Sequence, residues 1–291
     1  MKFIIKQEDK TLKYDVIVVG SGPAGIFACY ELSLKSPELK VLLLDKGLNI
    51  YERSCPILKG KIKQCPKKIV DGVQVSGCSP ACSITSGFGG AGAYSDGKFN
   101  ITTEFGGWMT DYLSNSKVLD LIKYVDNINL NHGASQSITD PMTEEVRRIE
   151  QLAYGAGLKL LRSYVRHLGT EENLEILKSI FEYLSNKIEM RFKTEVEDFI
   201  FDTNNSSKIK GIVTKSGETI EATNIFIAPG RDGSLWLADL LSSKKIKTTN
   251  NQVAIGVRVE VQEIIMQDIN KNLYEGKFMF NTVEGTRESN F

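Results

Sequence analysis

The residues best placed to do chemistry open the chain: Gly20-Ser21-Gly22-Pro23-Ala24-Gly25, followed 20 residues after the last glycine by Asp45. Glycines at the first, third and sixth places of such a run suit a dinucleotide pyrophosphate. The first permits a tight turn, the second lets backbone approach the phosphates, and the third lets a helix pack closely on a strand. An acid about 20 residues further on can accept hydrogen bonds from ribose hydroxyls. The spacing carries weight only in context, and the context is present. Residues 14–19, YDVIVV, read as a strand buried on both faces. A helix follows with Ile26, Phe27, Tyr30 and Leu34 on one face and Ser36-Pro37 at its end. Residues 41–44, VLLL, read as a second strand closed by Asp45. The helix N-terminus presents free N–H groups and the positive end of its dipole to an anion.

Further candidates lie downstream. Nine of the 25 glycines fall between Gly72 and Gly107, and four of the five cysteines between Cys55 and Cys82, so chemistry is sought there first. Gly92 to Lys98 fits GxxxxGK, but Phe99 replaces the metal-binding hydroxyl of a P-loop, and an ATPase is excluded. Cys55, Cys65, Cys78 and Cys82 contain one close pair where a zinc or iron–sulfur site usually shows two. With Cys29 the count is odd, so reduced structural thiols are expected and no metal ligand set. Arg166-His167 offers an anion-binding guanidinium and an acid–base imidazole, whereas His132 has no supporting context. Tyr183 and Lys187 match the YxxxK of short-chain dehydrogenases. The glycine spacing of that family is absent, and Tyr183 falls within a helical pattern of Leu174, Leu177, Phe181, Leu184 and Ile188, so the match is read as coincidence.

Composition narrows the class. Thirty-six basic and 36 acidic residues cancel, which argues against a nucleic-acid partner. A hydrophobic fraction of 41% suffices for a core, and no run reaches the roughly 18 apolar residues of a membrane span. The start, MKFIIKQEDK, lacks signal-peptide character. A soluble cytoplasmic protein acting on a small molecule is expected.

The elements that must position these residues continue after a long interval. Residues 192–201 and 208–215 read as strands around an Asn-Asn-Ser-Ser turn. A tight turn at 216–218 leads to strands at 219–222 and 224–228, broken by Pro229-Gly230. This is a β-meander followed by a return to a parallel sheet. GSGPAG, its closing acid, and the later ATNIFIAPGRDG (222–233) resemble the FAD-binding domain of glutathione-reductase-like flavoproteins. GFGGAGAYSDGK (87–98), with RSCP (53–56), RHLGT (166–170) and GVRVE (256–260), resembles more specifically the bacterial FAD-dependent dehydrogenases of unassigned substrate.

The resemblance implies an α/β fold: a Rossmann-like parallel-sheet domain with a β-meander, a helical insert and the start of a substrate-covering β domain. It implies FAD as cofactor, with NAD(P)H as a candidate electron donor. Gly20, Gly22, Pro23, Ala24 and Gly25 would surround the pyrophosphate; Asp45, with Lys46 beside it, would bind the adenosine ribose. Val196 would meet adenine through its backbone, and Ala228, Gly230 and Arg231 would lie close after the returning strand. Arg53, Gly89, Gly90, Ala91, Ser95 and Asp96 would also line the cofactor, and Lys98 would stabilise the reduced flavin. Lys98, Arg166 and His167 are the candidate catalytic residues.

Residues 108–190 read as a helical insert. Val118, Ile122, Val125 and Ile128 suit one helix; Asp140-Pro141 starts another bearing Val146, Ile149, Leu152, Ala153 and Ala156; residues 158–168 are extended; and Thr170 caps a third helix. The expected division is 1–107 and 191–245 for the FAD domain, 108–190 for the insert, and 246–291 for an incomplete cap domain in which 253–261 (VAIGVRVEV) forms a strand. The late Gly-Asp element of these flavoproteins is missing, so a C-terminally shortened chain is expected. The predicted function is an FAD-dependent oxidoreductase; the alternative is a non-catalytic flavoprotein fragment with partial or no FAD binding.

Overall fold

The computed structural model describes residues 12–70, 72–203, 208–250, 253, 255–282 and 285–290. In chain order they form β1 (Leu12–Val19), α1 (Pro23–Lys35), β2 (Val41–Leu44), β3 (Lys67–Val70), β4 (Val73–Ser76), β5 (Lys98–Ile101), α2 (Asn115–Asn131), α3 (Glu144–Gly155), β6 (Leu158–Leu161) and β7 (Tyr164–His167). Then follow α4 (Gly169–Ser185), β8 (Glu189–Arg191), β9 (Val196–Phe201), β10 (Ile209–Thr214), β11 (Thr219–Ile227), α5 (Ser234–Ser243), α6 (Glu263–Leu273), β12 (Lys277–Thr282) and β13 (Gly285–Asn290). Two compact units result, one drawn from Met1–Tyr94 and Leu177–Thr249, the other from Ser95–Ile176 and Asn250–Phe291. The chain passes between them near 94, within α4, and near 249.

The first unit is a mixed α/β sheet of order β8-β2-β1-β11-β10-β9. The four strands β8, β2, β1 and β11 run parallel, and β10 and β9 extend them antiparallel. Continuous apolar runs in β1 and β2 reflect burial on both faces. Ile17, Val19, Leu42 and Leu44 pack with Ile212, Ile220 and Leu240 of α5 on one face. Val18 lies on the other, beside Gly25 of α1. The face that α1 buries is Ile26, Cys29, Tyr30 and Ser33; Leu34, expected inside, is half exposed. Tyr30 stacks on Tyr183 of α4, ring centroids 4.8 Å apart. Tyr183 of the YxxxK match is thus a packing residue.

The meander is present with two changes. The strands expected at 219–222 and 224–228 are one nine-residue strand, β11, whose register with β1 runs unbroken from Ile220 to Ile227. Its outer end is less buried than its apolar sequence implies, with Phe226 44% exposed. The strand predicted from 192 starts at Val196, and the preceding β8 pairs with β2 at the sheet's far edge.

The second unit holds the two-stranded sheet β5-β7 and the three-stranded sheet β13-β12-β6. Val146, Ile149 and Ala153 of α3 pack with Leu160, Leu273 and Phe278. Helix α3 starts later than Asp140-Pro141 suggests: Thr143 is its N-cap and accepts from the Val146 N–H, while the Asp140 carboxylate accepts from the Met142 N–H. Thr170 does not cap α4 by its side chain; its hydroxyl donates to the Ser95 carbonyl. Among the described residues of 253–261 the expected strand does not form. Its described residues are extended in sequence pattern only, with Val253, Ile255, Val257 and Val259 73–93% exposed. Alternation specifies a strand only where a partner strand and a buried face exist, and among the described residues none pairs with it.

Candidate functional site

In the first unit the candidate site is made of backbone. Gly20 ends β1 with φ +99°, its N–H donating to the Leu44 carbonyl at 2.7 Å. A Cβ on Gly25 would stand 1.9 Å from the Gly20 carbonyl oxygen, so only glycine lets α1 start this close to β1. Gly22 is the N-cap of α1 and Pro23 its first residue. Proline there removes only an N–H that has no partner within the helix. The Ala24 and Gly25 amides, in the first turn, likewise have no acceptor inside the helix.

The glycine-rich loop completes this end. Gly89 donates to the Ser21 carbonyl at 2.8 Å, which sets Gly90 opposite Gly22. A Cβ on Gly22 would meet only the Gly90 Cα, at 3.9 Å. Protein therefore leaves room in front of Gly22, a cradle beside the positive end of α1 that fits an anionic diphosphate. Pro23, Ala24 and Ala91, the neighbours of these two glycines in the chain, are exposed. Phe88, fully buried, backs the loop, edge-on to Phe181 at 5.0 Å.

Asp45 closes β2 but differs in detail from its expected role. Its carboxylate accepts from the Ser21 N–H, the Ser21 hydroxyl and the Gly47 N–H, all at 2.7 Å, and it is buried. Oδ2 thus braces the glycine turn through Ser21, and Oδ1 holds the backbone at Gly47. Arg53, expected at the cofactor, donates instead to the carbonyls of Ser83, Ile84 and Phe88. Its guanidinium is buried and shapes the loop, offering no free cation. Burial pulls its pKa below the ordinary arginine value.

Lys46 pairs with Asp232 at 2.6 Å, and the Ser86 hydroxyl donates to the same carboxylate at 2.6 Å. Burial pushes the Asp232 carboxyl up, but the Lys46 ammonium and Ser86 hydroxyl outweigh it and hold the carboxyl below its usual range. The pair ties the end of β2 to the turn after β11, where Ala228 donates to the Val19 carbonyl and Gly230 and Arg231 are exposed. Val196 is a core residue of the sheet.

In the second unit the candidates are side chains. Lys98 on β5 lies opposite His167 on β7. Lys98 forms an ion pair with Glu275. The His167 ring stacks on Tyr274, centroids 4.2 Å apart, and the Tyr274 hydroxyl donates to Asp96 at 3.4 Å. Burial, then the Asp96 carboxylate, pushes the Tyr274 phenol up, so it is a proton donor at neutral pH. Tyr274 sits at φ +60°, ψ −50°, in a three-residue turn closed by Glu275 N–H to the Leu273 carbonyl at 2.6 Å. Such a turn is strained. Tyr274 and Glu275 were not found from sequence; nothing marks them except their place at the end of an amphipathic helix.

Arg166 is not available to a substrate. Its Nε and Nη2 donate to Asp126 at 2.7 and 2.9 Å, and its Nη1 donates to the Ser135 and Ser137 carbonyls. Side-chain exposures of 5% and 11% make this a buried ion pair joining β7 to α2. Ser95 accepts from the Gly97 N–H and supports the turn into β5. A cavity of about 440 Å³ lies between β5 and α2, lined by Phe99, Ile101, Phe105, Leu121 and Ile122, with Lys98 and Asp126 at its polar places.

No family model matches the chain, and no characterised protein matches it by sequence. Among solved structures it is similar to L-amino acid deaminase from Proteus vulgaris carrying a deletion of its specific insertion sequence (14% identity, TM-score 0.45, over 79% of this chain and 56% of that one). It is also similar to L-proline dehydrogenase from P. horikoshii (15%, 0.42, 82% and 57%). Glycine oxidase from Geobacillus kaustophilus gives 18%, 0.42, 80% and 58%. The chain thus spans less than three-fifths of the length of these structures. Among the described residues no helix is long and apolar enough to cross a membrane.

Proposed function

We propose that the chain is a cytoplasmic FAD-dependent oxidoreductase acting on a small molecule, with NAD(P)H as its electron donor. One observation carries the reading: the open face between Gly22 and Gly90 at the N-terminus of α1, in a β1–α1–β2 unit closed by Asp45. The Ala24 and Gly25 amides hold the pyrophosphate oxygens. Asp45 keeps the turn in shape through Ser21 and offers its remaining lone pairs to the ribose. Lys46 and Asp232 fix the strand ends around it. When bound, the isoalloxazine supplies hydride or single-electron transfer.

The second unit contributes substrate contacts. The apolar cavity against β5 takes the hydrocarbon part of the substrate. Tyr274 holds a proton on its phenol oxygen, oriented by Asp96 and by stacking on His167. Lys98 places a positive charge at the cavity's edge, balanced by Glu275. The second reading, a fragment that binds FAD weakly or not at all, is favoured by one fact: both Asp45 oxygens already accept hydrogen bonds from the chain itself. The visible spectrum of the purified chain, reconstituted with FAD and desalted, separates the two. Retained flavin absorption that bleaches anaerobically with NAD(P)H supports the enzyme. A folded but colourless chain overturns it.

A further inference from the structure

Val253, Ile255, Val257, Val259 and Val261, at alternate positions, are each more than half exposed, and so are Ile264 and Ile265 in the first turn of α6. An apolar stretch of this length left in water marks a surface that another molecule covers. Among the described residues no strand pairs with 253–261, so its backbone edges are open as well. The segment carries two charges, Arg258 and Glu260. Arg258 Nε donates to Glu260 Oε1 at 3.1 Å, so both lie on one side. At side-chain exposures of 88% and 78% this ion pair adds little to the stability of the chain. Gln262, the residue before α6, has extended backbone at φ −63°, ψ 139°, so a strand can run up to the helix.

We propose that residues 256–262 are the interface of a homodimer, pairing antiparallel with the same segment of a second copy about a two-fold axis at Val259. The charges fix both the occupant and the register. With Val259 opposite itself, Arg258 faces Glu260 of the second copy, Glu260 faces Arg258 of the second copy, and Val257 faces Val261. The valines then share one face of the paired strands and the charges the other. Centred on Val257, neither charge would meet its opposite. A slip of one residue would put the valines of one copy on the charged face of the other. A parallel pair in register would set Arg258 against Arg258 and Glu260 against Glu260. Of these arrangements the antiparallel one about Val259 satisfies the charges and the apolar face together, and a two-fold contact closes at two copies. Beyond the paired stretch, Ile255 reaches the start of the second copy's α6, where Ile264 and Ile265 are exposed, so apolar surface is covered at both ends. The interface is independent of FAD.

The test is sedimentation of the full chain over about 1–100 μM, a range that reads micromolar association. The wild-type chain is expected to be a dimer that dissociates on dilution. Arg258→Glu and Glu260→Arg each set like charges opposite one another at two places across the axis, and each weakens the dimer by about tenfold. Both positions are exposed, so the melting temperature of each variant stays that of the wild-type chain. Mixed in equal amounts, the two variants recover wild-type association. The exchanged charges then face their opposites across the axis, although neither chain keeps its own Arg258–Glu260 pair. A wild-type chain that stays monomeric at the highest concentration overturns the proposal, as does an assembly larger than a dimer. Single variants that associate like the wild-type chain, or a mixture no tighter than either variant alone, also overturn it. A monomer that floats with phosphatidylcholine vesicles would assign the valine face to a lipid surface and overturn it too.

Discussion

The first unit builds its candidate site from backbone and the second from side chains, and the two fail differently under substitution. At the N-terminus of α1 the working groups are the amides of Ala24 and Gly25 and the space in front of Gly22. Such groups cannot be removed by exchanging a side chain; they can only be blocked or displaced by adding one. Around β5 and β7 the working groups are Lys98, His167, Tyr274 and Asp96, each already engaged by a neighbour. There a substitution acts first on the partner left behind. The lesson is that glycine in the first unit and charge in the second are the places to press.

Substitutions can break or sharpen that contrast. The largest expected effect is at Arg166 or Asp126. Arg166→Met leaves a buried carboxylate without its ion and costs about 3–5 kcal/mol, read from the urea midpoint. A substrate-anchoring arginine would instead leave stability intact and raise KM. Gly25→Val comes next: its Cβ meets the Gly20 carbonyl, and overpacking of about 3 kcal/mol lowers the melting temperature. Unchanged stability would show that α1 shifts freely against β1. Thr143→Ala removes the α3 cap at a cost of about 1 kcal/mol, measured by thermal melting.

The smallest effect concerns pH. Asp232 has a folded pKa below its ordinary value of 3.8, so it stabilises the fold above that value and loses the contribution as pH falls through the lower folded pKa. Asp232→Asn should therefore flatten the acid limb of the melting temperature as pH falls from about 4 downward. An acid limb as steep as in the wild-type chain would assign the depression elsewhere.

What was legible in the sequence follows the same division. The strand–turn–helix–strand order could be read because Val16 to Val19 and Leu42 to Leu44 are buried on both faces, and continuous apolar runs report such burial directly. The glycine turn was legible because close approach excludes other residues at Gly20 and Gly25. Side-chain roles were not, because a sequence does not say who sits opposite. Arg166 reads as an anion site until Asp126, 40 residues away, takes its guanidinium. Arg53 reads as a cofactor contact until the carbonyls of 83–88 surround it. Residues 253–261 mislead in the other direction: clean alternation, with no strand among the described residues to meet it. Tyr274 owes its place to a strained turn that no sequence pattern announces.

The central claim is that the open face at Gly22 receives the FAD pyrophosphate. FAD titration by fluorescence quenching, on the wild-type chain and on Gly22→Val, tests it most directly. The added side chain points where only the Gly90 Cα stands within 4 Å, so the melting temperature stays within about 0.5 kcal/mol equivalent of wild type. Affinity falls at least tenfold, about 1.4 kcal/mol, because the side chain takes the place of the phosphates. Equal FAD affinity in the two chains, or no binding by the wild-type chain, would contradict it.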